Sequence, residues 1–325
     1  MNGRYTRWIR YLLLAVVVYL LVRHVVGSSD DYQFVANLDW RYLLPVIALS
    51  VGNILLDALR HVITAQHLGK RLPLKLAFVY LVVARFLNKF VPQSGVAYKA
   101  HVLRKAGGFG AGELLTGFGS MVWVQLMVSL LLALIVVWSV RPSLAIHGVS
   151  ILTLLLAGVV VLIVSTVGIV LIAAKIESSQ ARRETWGRRL MLRLARLVRS
   201  LLRLIRDPAL FTLSSGIIVV ATLVSLLRLY LCFRMIGVGA ELVLLVLFVT
   251  LNRALTIFTI TPGNLGVTEF LFGLLAQGVG IGMAQGVMAA LIIRLVTFAV
   301  LALLGAIFLV TARHAVFGDE PPATR

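Results

Sequence analysis

The stretch TPGNLGVTEF, residues 261–270, lies between two long apolar runs. The run LVLLVLFVTLNRALTIF precedes it, and LFGLLAQGVGIGMAQGVMAALII follows it. A proline inside a helix removes a backbone hydrogen bond, and glycine adopts backbone conformations that other residues avoid. We therefore predict a helix break at Pro262 and Gly263, in the middle of an apolar segment that covers residues 242–282.

The composition of the whole chain is that of a membrane protein. Of its 325 residues 60% are hydrophobic and only 13% are charged, whereas a soluble domain has about a quarter charged. Apolar runs of roughly 20 residues, each long enough to cross a bilayer as a helix, recur along the chain. We predict an all-α, polytopic integral membrane protein with one domain over residues 1–325.

The strong positive charge does not indicate a nucleic-acid partner. The net charge of +19 comes from Lys and Arg residues that cluster between the apolar runs. In such places basic residues set membrane topology and contact anionic lipid. The single cysteine, Cys232, and six scattered His provide no disulfide or metal-ligand pattern, so we expect no metal and no cofactor.

Basic residues orient the membrane spans. Arg4, Arg7 and Arg10 precede the first apolar run, which places the N-terminus on the cytoplasmic side of the cell (inner or plasma) membrane. The same rule places the short C-terminal tail, residues 314–325, in the cytoplasm. Six full spans are predicted, at about residues 11–26, 42–66, 113–139, 149–174, 210–233 and 284–312.

Residues 74–98 do not fit a simple span. Both flanks of this segment are basic and should lie inside, and Pro92 and Gly95 interrupt it. We predict a broken, re-entrant helical hairpin that enters from the cytoplasm. Residues 242–282 are predicted to form a second hairpin from the opposite face. Two ordinary spans in place of either hairpin are the main alternative.

The two breaks resemble each other. Each has Arg and Asn about two turns before a proline, and a glycine follows that proline. Broken helices at matching places of two inverted halves indicate a central binding site. We therefore consider an inverted repeat, with chance similarity or a mere helix kink as the alternative.

Residues 175–209 are predicted to form a basic amphipathic segment on the cytoplasmic side. Leucines share one helical face, and the arginines of 182–206 lie on the other. Such a helix binds the anionic inner leaflet. An extramembrane helix packed on its own protein is the alternative.

Arg85, Arg253 and Arg294 fall near the middle of their apolar segments. A charged side chain at the centre of a bilayer costs about 2.5–3.5 kcal/mol of insertion free energy. These arginines need carboxylates, carbonyls, water or an anionic ligand. Glu269 can neutralise one, and the N–H groups from Gly263 to Gly266 would bind an anion if a half-helix begins there. We predict no catalytic residue and a substrate-binding set of Arg85, Asn88, Asn252, Arg253, Pro262, Gly263, Gly266, Glu269 and Arg294.

Structural ion pairs are the alternative interpretation of these charges. Asp57 and Arg60 lie three residues apart on one helix face, where they can satisfy each other. Arg228 and Arg234 lie near the outer end of a span, where snorkelling explains them. Lys99 is interpreted as an inner-surface charge.

Two motifs carry a resemblance to a known family. ITPGNLGVTE at 260–269, followed 25 residues after Glu269 by Arg294 in LIIRLVTF, is similar to the C-terminal signature of the lysylphosphatidylglycerol synthase transmembrane-region family, also called flippase-like domain proteins. FLNKFVPQSGVAYKAHVLRKAGG at 86–108 resembles that family's earlier Pro-x-x-Gly element. The family often has an acidic residue after this glycine, where Val96 and Ala97 stand here, and Lys99 takes the basic place. The likeness covers about residues 8–312.

The resemblance implies a membrane domain that translocates a lipid, without the soluble synthase domain that some members carry. We therefore expect a transporter that flips a phosphate-bearing lipid, either an anionic phospholipid or a polyprenyl-phosphate lipid, through a central polar cavity. The alternatives are a membrane enzyme, such as a lipid-phosphate transferase, and a non-transporting partner subunit in lipid or glycolipid synthesis. An oligomer is compatible with the sequence.

Overall fold

The computed structural model describes residues 37–91, 93–114, 119–146, 148–178, 208–257 and 262–311. A two-residue antiparallel pair, β1 (Ala145–Ile146) with β2 (Val149–Ser150), is the only sheet in these ranges. Short helical turns occur at Trp40–Tyr42, Ala111–Glu113 and Pro262–Asn264. The longer helices of the described ranges are α1 (Leu43–His67), α2 (Leu74–Phe90), α3 (Ser94–Gly107), α4 (Gly119–Val140), α5 (Ile151–Ser178), α6 (Pro208–Met235), α7 (Leu242–Ile257), α8 (Val267–Val279) and α9 (Met283–Thr311).

Five of these helices are long and apolar enough to cross a membrane, which confirms an all-α, polytopic membrane fold. They are α1, α4, α5, α6 and α9, and they match the predicted spans from 42–66 onward. Of the predicted span 113–139, residues 119–139 lie in α4, and residues 115–118 lie outside the described residues. The predicted span 11–26 and the tail 314–325 lie outside the described residues. Most of the predicted basic segment, residues 175–209, also lies outside the described residues. The exceptions are residues 175–178 in α5 and residues 208–209 in α6.

The first predicted hairpin, 74–98, consists of α2, which ends at Phe90, and α3, which begins at Ser94; the two helices pack against each other. The second arm is longer than predicted, because α3 continues to Gly107. Val91 is extended, as expected of a residue that precedes a proline, and Gln93 has a left-handed backbone with φ 64°. Gly95 does not form the turn, contrary to the prediction. It lies in the first turn of α3, where an added Cβ would collide with the carbonyl oxygen of Ala84. The glycine therefore allows the two helices to approach closely.

The second predicted hairpin consists of α7 and α8 and breaks at the predicted place. A turn at Pro262–Asn264 precedes α8, with φ of 59° at Gly263 and 81° at Gly266. Left-handed backbone of this kind favours glycine, which explains both glycines of the PGNLG stretch. After α8 the chain reverses into α9, and Gly286 of α9 packs so closely on Phe272 and Ala276 that a Cβ there would overlap both.

The arms of both hairpins are short. A full span needs roughly 20 residues, whereas α2, α3 and α8 have 17, 14 and 13, and α7 has 16 within the described residues. Arms of this length favour broken hairpins over the alternative of two ordinary spans in each place.

The packing of the helices agrees with an internal repeat. The order of long helix, broken hairpin and long helix occurs twice, as α1 to α4 and as α6 to α9. If α1, α2, α3 and α4 correspond to α6, α7, α8 and α9, the contact between α2 and α9 corresponds to the contact between α7 and α4, and both contacts are present. The two equivalent helices α1 and α6 pack directly on each other. Among the described residues, three helices long enough to span a membrane (α1, α4 and α5) lie between the start of α1 and the start of α6. If the first hairpin and residues 179–207 each return to their own side, the second half is inverted relative to the first.

The repeat also places two of the predicted arginines at equivalent positions. Arg85 lies eleven residues after Leu74, the first residue of α2, and Arg253 lies eleven residues after Leu242, the first residue of α7. The main hydrophobic core surrounds these helices. It draws on α1, α2, α3, α6, α7, α8 and α9, with Tyr80, Phe233 and Phe248 among its fully buried side chains.

Candidate functional site

Asp57 on α1 organises a cluster of buried charges. The nearest partner of its carboxylate is Arg85 of α2, whose Nη2 donates to Asp57 Oδ2. Arg60 Nη2 lies 3.7 Å from Asp57 Oδ1, and Arg60 Nη1 donates to Gln125 Oε1 of α4 at 2.8 Å. We call Asp57, Arg60, Arg85 and Gln125 the Asp57 cluster.

The predicted Asp57–Arg60 pair is therefore only part of the arrangement. Spacing along one helix favours Arg60, but Arg85 from the neighbouring helix makes the closer contact. Lys99 of α3 is half-buried and lies near enough to Asp57 and Arg85 to interact with them electrostatically. Its interpretation as an inner-surface charge stays a prediction. One turn further along α1, His61 Nδ1 lies 2.5 Å from the hydroxyl of Tyr80, and both side chains are buried.

Arg253 attaches the second hairpin to α4. Its Nη1 donates to Ser129 Oγ at 2.5 Å, and Thr250 Oγ1, one turn earlier on α7, donates to the Ser129 carbonyl oxygen at 3.2 Å. Arg253 is half-buried and near enough to Asp57 and Arg60 to interact with them electrostatically. Arg85 and Arg253, the equivalent residues of the two hairpins, therefore both belong to one polar region.

Glu269 and Arg294 form a second buried ion pair. Arg294 Nε on α9 contacts Glu269 Oε1 on α8, and the Glu269 side chain is only 2% exposed. Arg294 Nη2 also donates to the carbonyl oxygen of Asn264 at 3.1 Å, and Asn264 Nδ2 donates to Leu255 O at 2.6 Å. We call Asn264, Gly266, Glu269 and Arg294 the Glu269 cluster. Its contacts hold the broken hairpin of α7 and α8 against α9.

The expected anion cradle at the PGNLG turn is partly filled by the protein itself. Gly266 N donates to Glu269 Oε2 at 2.8 Å, and the half-helix α8 begins at the next residue. This N–H is therefore satisfied by the carboxylate, because Glu269 stands at the position in the first helical turn that reaches back to the preceding backbone.

The two hairpin breaks touch each other. Gly263 packs on Lys89 near the end of α2, where a Cβ on the glycine would lie 3.5 Å from Lys89 Cα. Lys89 is half-buried and interacts electrostatically with Arg294, Glu269 and Arg85. Lys89 was not predicted as a site residue, because its place in FLNKFVPQSG does not show that it contacts the second break.

Not every predicted site residue faces this region. Asn88 Oδ1 accepts a hydrogen bond from Gly95 N at 2.7 Å, so Asn88 serves the hairpin fold. Asn252 is exposed, although its neighbour Arg253 points inward. Pro262 begins the turn between α7 and α8. The snorkelling interpretation is wrong for Arg228, whose Nη1 lies 3.4 Å from the buried Ser50 Oγ of α1.

Basic side chains outnumber carboxylates where the two hairpins meet. Among the described residues, seven basic side chains and two carboxylates are buried or half-buried in this region, which leaves an excess of five positive charges. The Nε groups of Arg60 and Arg228 are buried, and no described residue accepts a hydrogen bond from them. The described residues bring together no three His, Cys, Asp or Glu side chains that could share a metal ion. The basic residues are Arg60, Arg85, Lys89, Lys99, Arg228, Arg253 and Arg294, and the acidic residues are Asp57 and Glu269.

Comparison with known proteins agrees with this architecture. The family described as the lysylphosphatidylglycerol synthase TM region matches residues 7–305, which include both hairpins and both charge clusters. No curated protein and no solved structure matches the chain. Since the match covers most of its length, this multi-pass membrane protein belongs to the lysylphosphatidylglycerol synthase transmembrane-region family.

Proposed function

We propose that this protein is a flippase, which moves a lipid with an anionic, phosphate-bearing head group across the bilayer. Anionic phospholipids and polyprenyl-phosphate lipids both have the required chemistry. The observation that carries the proposal is the excess of buried or half-buried basic side chains around the Asp57 and Glu269 clusters. Membership of a family named after a phospholipid synthase adds support.

The charge excess is costly unless an anion compensates it. A charge at the centre of a membrane costs about 2.5–3.5 kcal/mol, so an excess of several charges would cost on the order of 10 kcal/mol. Buried N–H groups of Arg60 and Arg228 that lack an acceptor among the described residues add about 1–3 kcal/mol each. A phosphate supplies both negative charge and several acceptor oxygens, and guanidinium groups bind it in a bidentate manner.

The sign of the charge also argues against an aminoacylated lipid as the substrate. A lysine ester adds two ammonium groups to the single phosphate of phosphatidylglycerol, which makes that head group net positive. Burial of a further positive charge beside Arg85, Arg253 and Arg294 would raise the electrostatic cost instead of lowering it. The family name therefore does not define the substrate of this chain.

The two ion pairs provide a route for binding and release. Asp57 contacts Arg85, and Glu269 contacts Arg294. A lipid phosphate competes with these carboxylates for the same guanidinium groups. Competition lowers the net affinity, which a transporter needs because a tightly bound lipid would not leave on the other side. The hydrocarbon chains stay in the bilayer while the head group crosses.

The proposed orientation follows from the positive-inside rule. Both termini lie in the cytoplasm, the first hairpin enters the cell membrane from the cytoplasmic face, and the second enters from the outer face. The arginines of 182–206 bind the anionic inner leaflet. Cysteine accessibility scanning tests this, with Cys232 replaced first. Outer-face labelling at both 240 and 283 agrees with a re-entrant second hairpin, whereas labelling of these two positions from opposite faces contradicts it.

Reconstitution into proteoliposomes tests the transport function. Fluorescent anionic phospholipid is distributed over both leaflets, and dithionite then destroys the outer pool and reports how fast the inner pool becomes exposed. We expect rapid exposure for the wild type. Arg253→Gln should slow it about ten- to hundredfold, because a charge-assisted contact contributes about 1.5–3 kcal/mol.

The matched control is Arg141→Gln, since Arg141 forms an exposed ion pair with Glu241 away from the hairpin breaks. This variant should flip lipid at the wild-type rate. Exposure in wild-type vesicles no faster than in empty liposomes contradicts a flippase for this lipid. Equal rates for the two arginine variants contradict the assignment of Arg253.

A further inference from the structure

An aromatic cluster lies between α2 and α9, beside the charged region. Phe86 and Phe90 of α2 and Phe298 of α9 contact one another, with ring centroids 5.0 to 6.1 Å apart. Buried aromatic clusters usually belong to the core, but these rings are partly open to the outside. Phe90 is 55% exposed and Phe298 is 39% exposed. We call the contact between these three rings the aromatic seam.

The aromatic seam lies at the boundary between the buried charges and the lipid-facing surface. Successive residues of an α-helix are about 100° apart, so Phe298 lies about 40° from Arg294 and about 60° from Leu295 around α9. Arg294 points inward to Glu269, whereas Leu295 is exposed. On α2, Phe86 and Phe90 each directly follow a basic residue of the site, Arg85 and Lys89. Charge and aromatic surface therefore adjoin on both helices.

The equivalent contact of the other half is built differently. The exchange of halves relates the α2–α9 contact to the α7–α4 contact. There, Thr250 and Arg253 both donate hydrogen bonds to Ser129, and residues 243–250 of α7 are buried throughout. The contact between α7 and α4 is therefore closed by polar contacts, whereas the contact between α2 and α9 has exposed aromatic rings next to cations.

We propose that the aromatic seam is a lateral binding subsite for the hydrocarbon chain of the lipid whose phosphate contacts Arg85, Lys89 and Arg294. A lipid held by its head group among the buried cations must pass its chain sideways into the bilayer, and the seam is the apolar surface that adjoins those cations. Phenylalanine suits this role because it offers a large apolar face without a polar group that needs a partner. The proposal rests on the proposed lipid specificity but is tested separately from transport.

Bulk membrane lipid in contact with any exposed helix face is the competing explanation, and photo-crosslinking distinguishes the two. A photoreactive benzoylphenylalanine replaces Phe298, or Phe90 in a second variant, and the protein is reconstituted in phosphatidylcholine that contains a minor fraction of phosphatidic acid. The control carries the same probe at Trp138, an exposed aromatic residue on α4. After irradiation, mass spectrometry identifies the lipid attached to each probe.

We expect phosphatidic acid adducts at Phe298 and Phe90 to exceed the bulk share about tenfold, which corresponds to about 1.4 kcal/mol of preference. Adducts at Trp138 should match the bulk share. Arg85→Gln in the Phe298 probe variant should remove most of the enrichment, since it removes a phosphate contact and leaves the aromatic rings in place. Adducts that match the bulk share at all three probes would overturn the subsite.

The two proposals can fail independently. Transport by the wild type without enrichment at the aromatic seam keeps the flippase and refutes the subsite. Enrichment that depends on Arg85, in a protein that shows no transport, keeps the subsite and refutes the flippase.

Discussion

Replacement of Glu269 by glutamine should destabilise the protein strongly, because it leaves Arg294 buried without its carboxylate partner. The side chains of this ion pair are 2% and 17% exposed. Removal of one member of a buried pair costs about 3–5 kcal/mol, most of it the cost of the unpaired charge. Glutamine keeps an oxygen that can accept the Gly266 N–H, so the change isolates the loss of charge.

An exposed ion pair of the same protein provides the scale for this effect. Arg141 Nη2 lies 2.9 Å from Glu241 Oε1, but these side chains are 43% and 48% exposed. Solvent screens such a pair, and its contribution is about 0–1 kcal/mol. Glu241→Gln should therefore change the free energy of unfolding by no more than that amount.

The free energy of unfolding can be measured by titration of micelle-bound protein with sodium dodecyl sulfate, followed by tryptophan fluorescence. The double variant Glu269→Gln with Arg294→Gln should lose less than the sum of the single variants, by about 0.5–3 kcal/mol. A loss for Glu269→Gln no larger than that for Glu241→Gln would refute the reasoning. Strict additivity of the two single changes would also refute it.

Three further stability predictions follow from contacts within and between the hairpins, all measured as shifts in thermal unfolding. Gly286→Ala should cost about 1–3 kcal/mol because its new methyl group overlaps α8, whereas Gly305→Ala on the same helix has open space and should be neutral or slightly stabilising. Gly95→Ala should likewise destabilise the first hairpin, and Gly52→Ala on α1 should not; equal effects would contradict the close approach. Tyr80→Phe removes the hydroxyl that contacts a buried imidazole of α1 and should cost about 1 kcal/mol, so an unchanged melting temperature would count against that hydrogen bond.

The hairpins and long helices were accessible from sequence because their causes are local. Pro92 and Pro262 interrupt apolar runs, and a proline affects the backbone at and next to its own position. The pairing of Glu269 with an arginine was also foreseeable, since a buried carboxylate among deep cations needs a partner. Which arginine it meets could not be derived, because that depends on how α8 packs against α9.

Contacts between helices account for what sequence reasoning missed. Arg85 displaced Arg60 as the nearest partner of Asp57 because the packing of α1 on α2 brings it closer than the helical spacing of three residues brings Arg60. Asn252 and Arg253 are adjacent in sequence, but a rotation of about 100° around α7 separates an exposed side chain from an inward one. The contact of Lys89 with Gly263 joins two segments that are remote in sequence, so no local pattern predicts it.

The most direct test of a head-group site between the two hairpins is the lipid that remains bound to the purified protein. Native mass spectrometry would compare the wild type with a variant that carries both Arg85→Gln and Arg253→Gln, and with Arg141→Gln as the control. We predict retained anionic lipid with a phosphate head group in the wild type and the control, and its loss in the double variant. Retained lipid with the composition of the bulk membrane, unchanged by the double substitution, would contradict a head-group site at these residues.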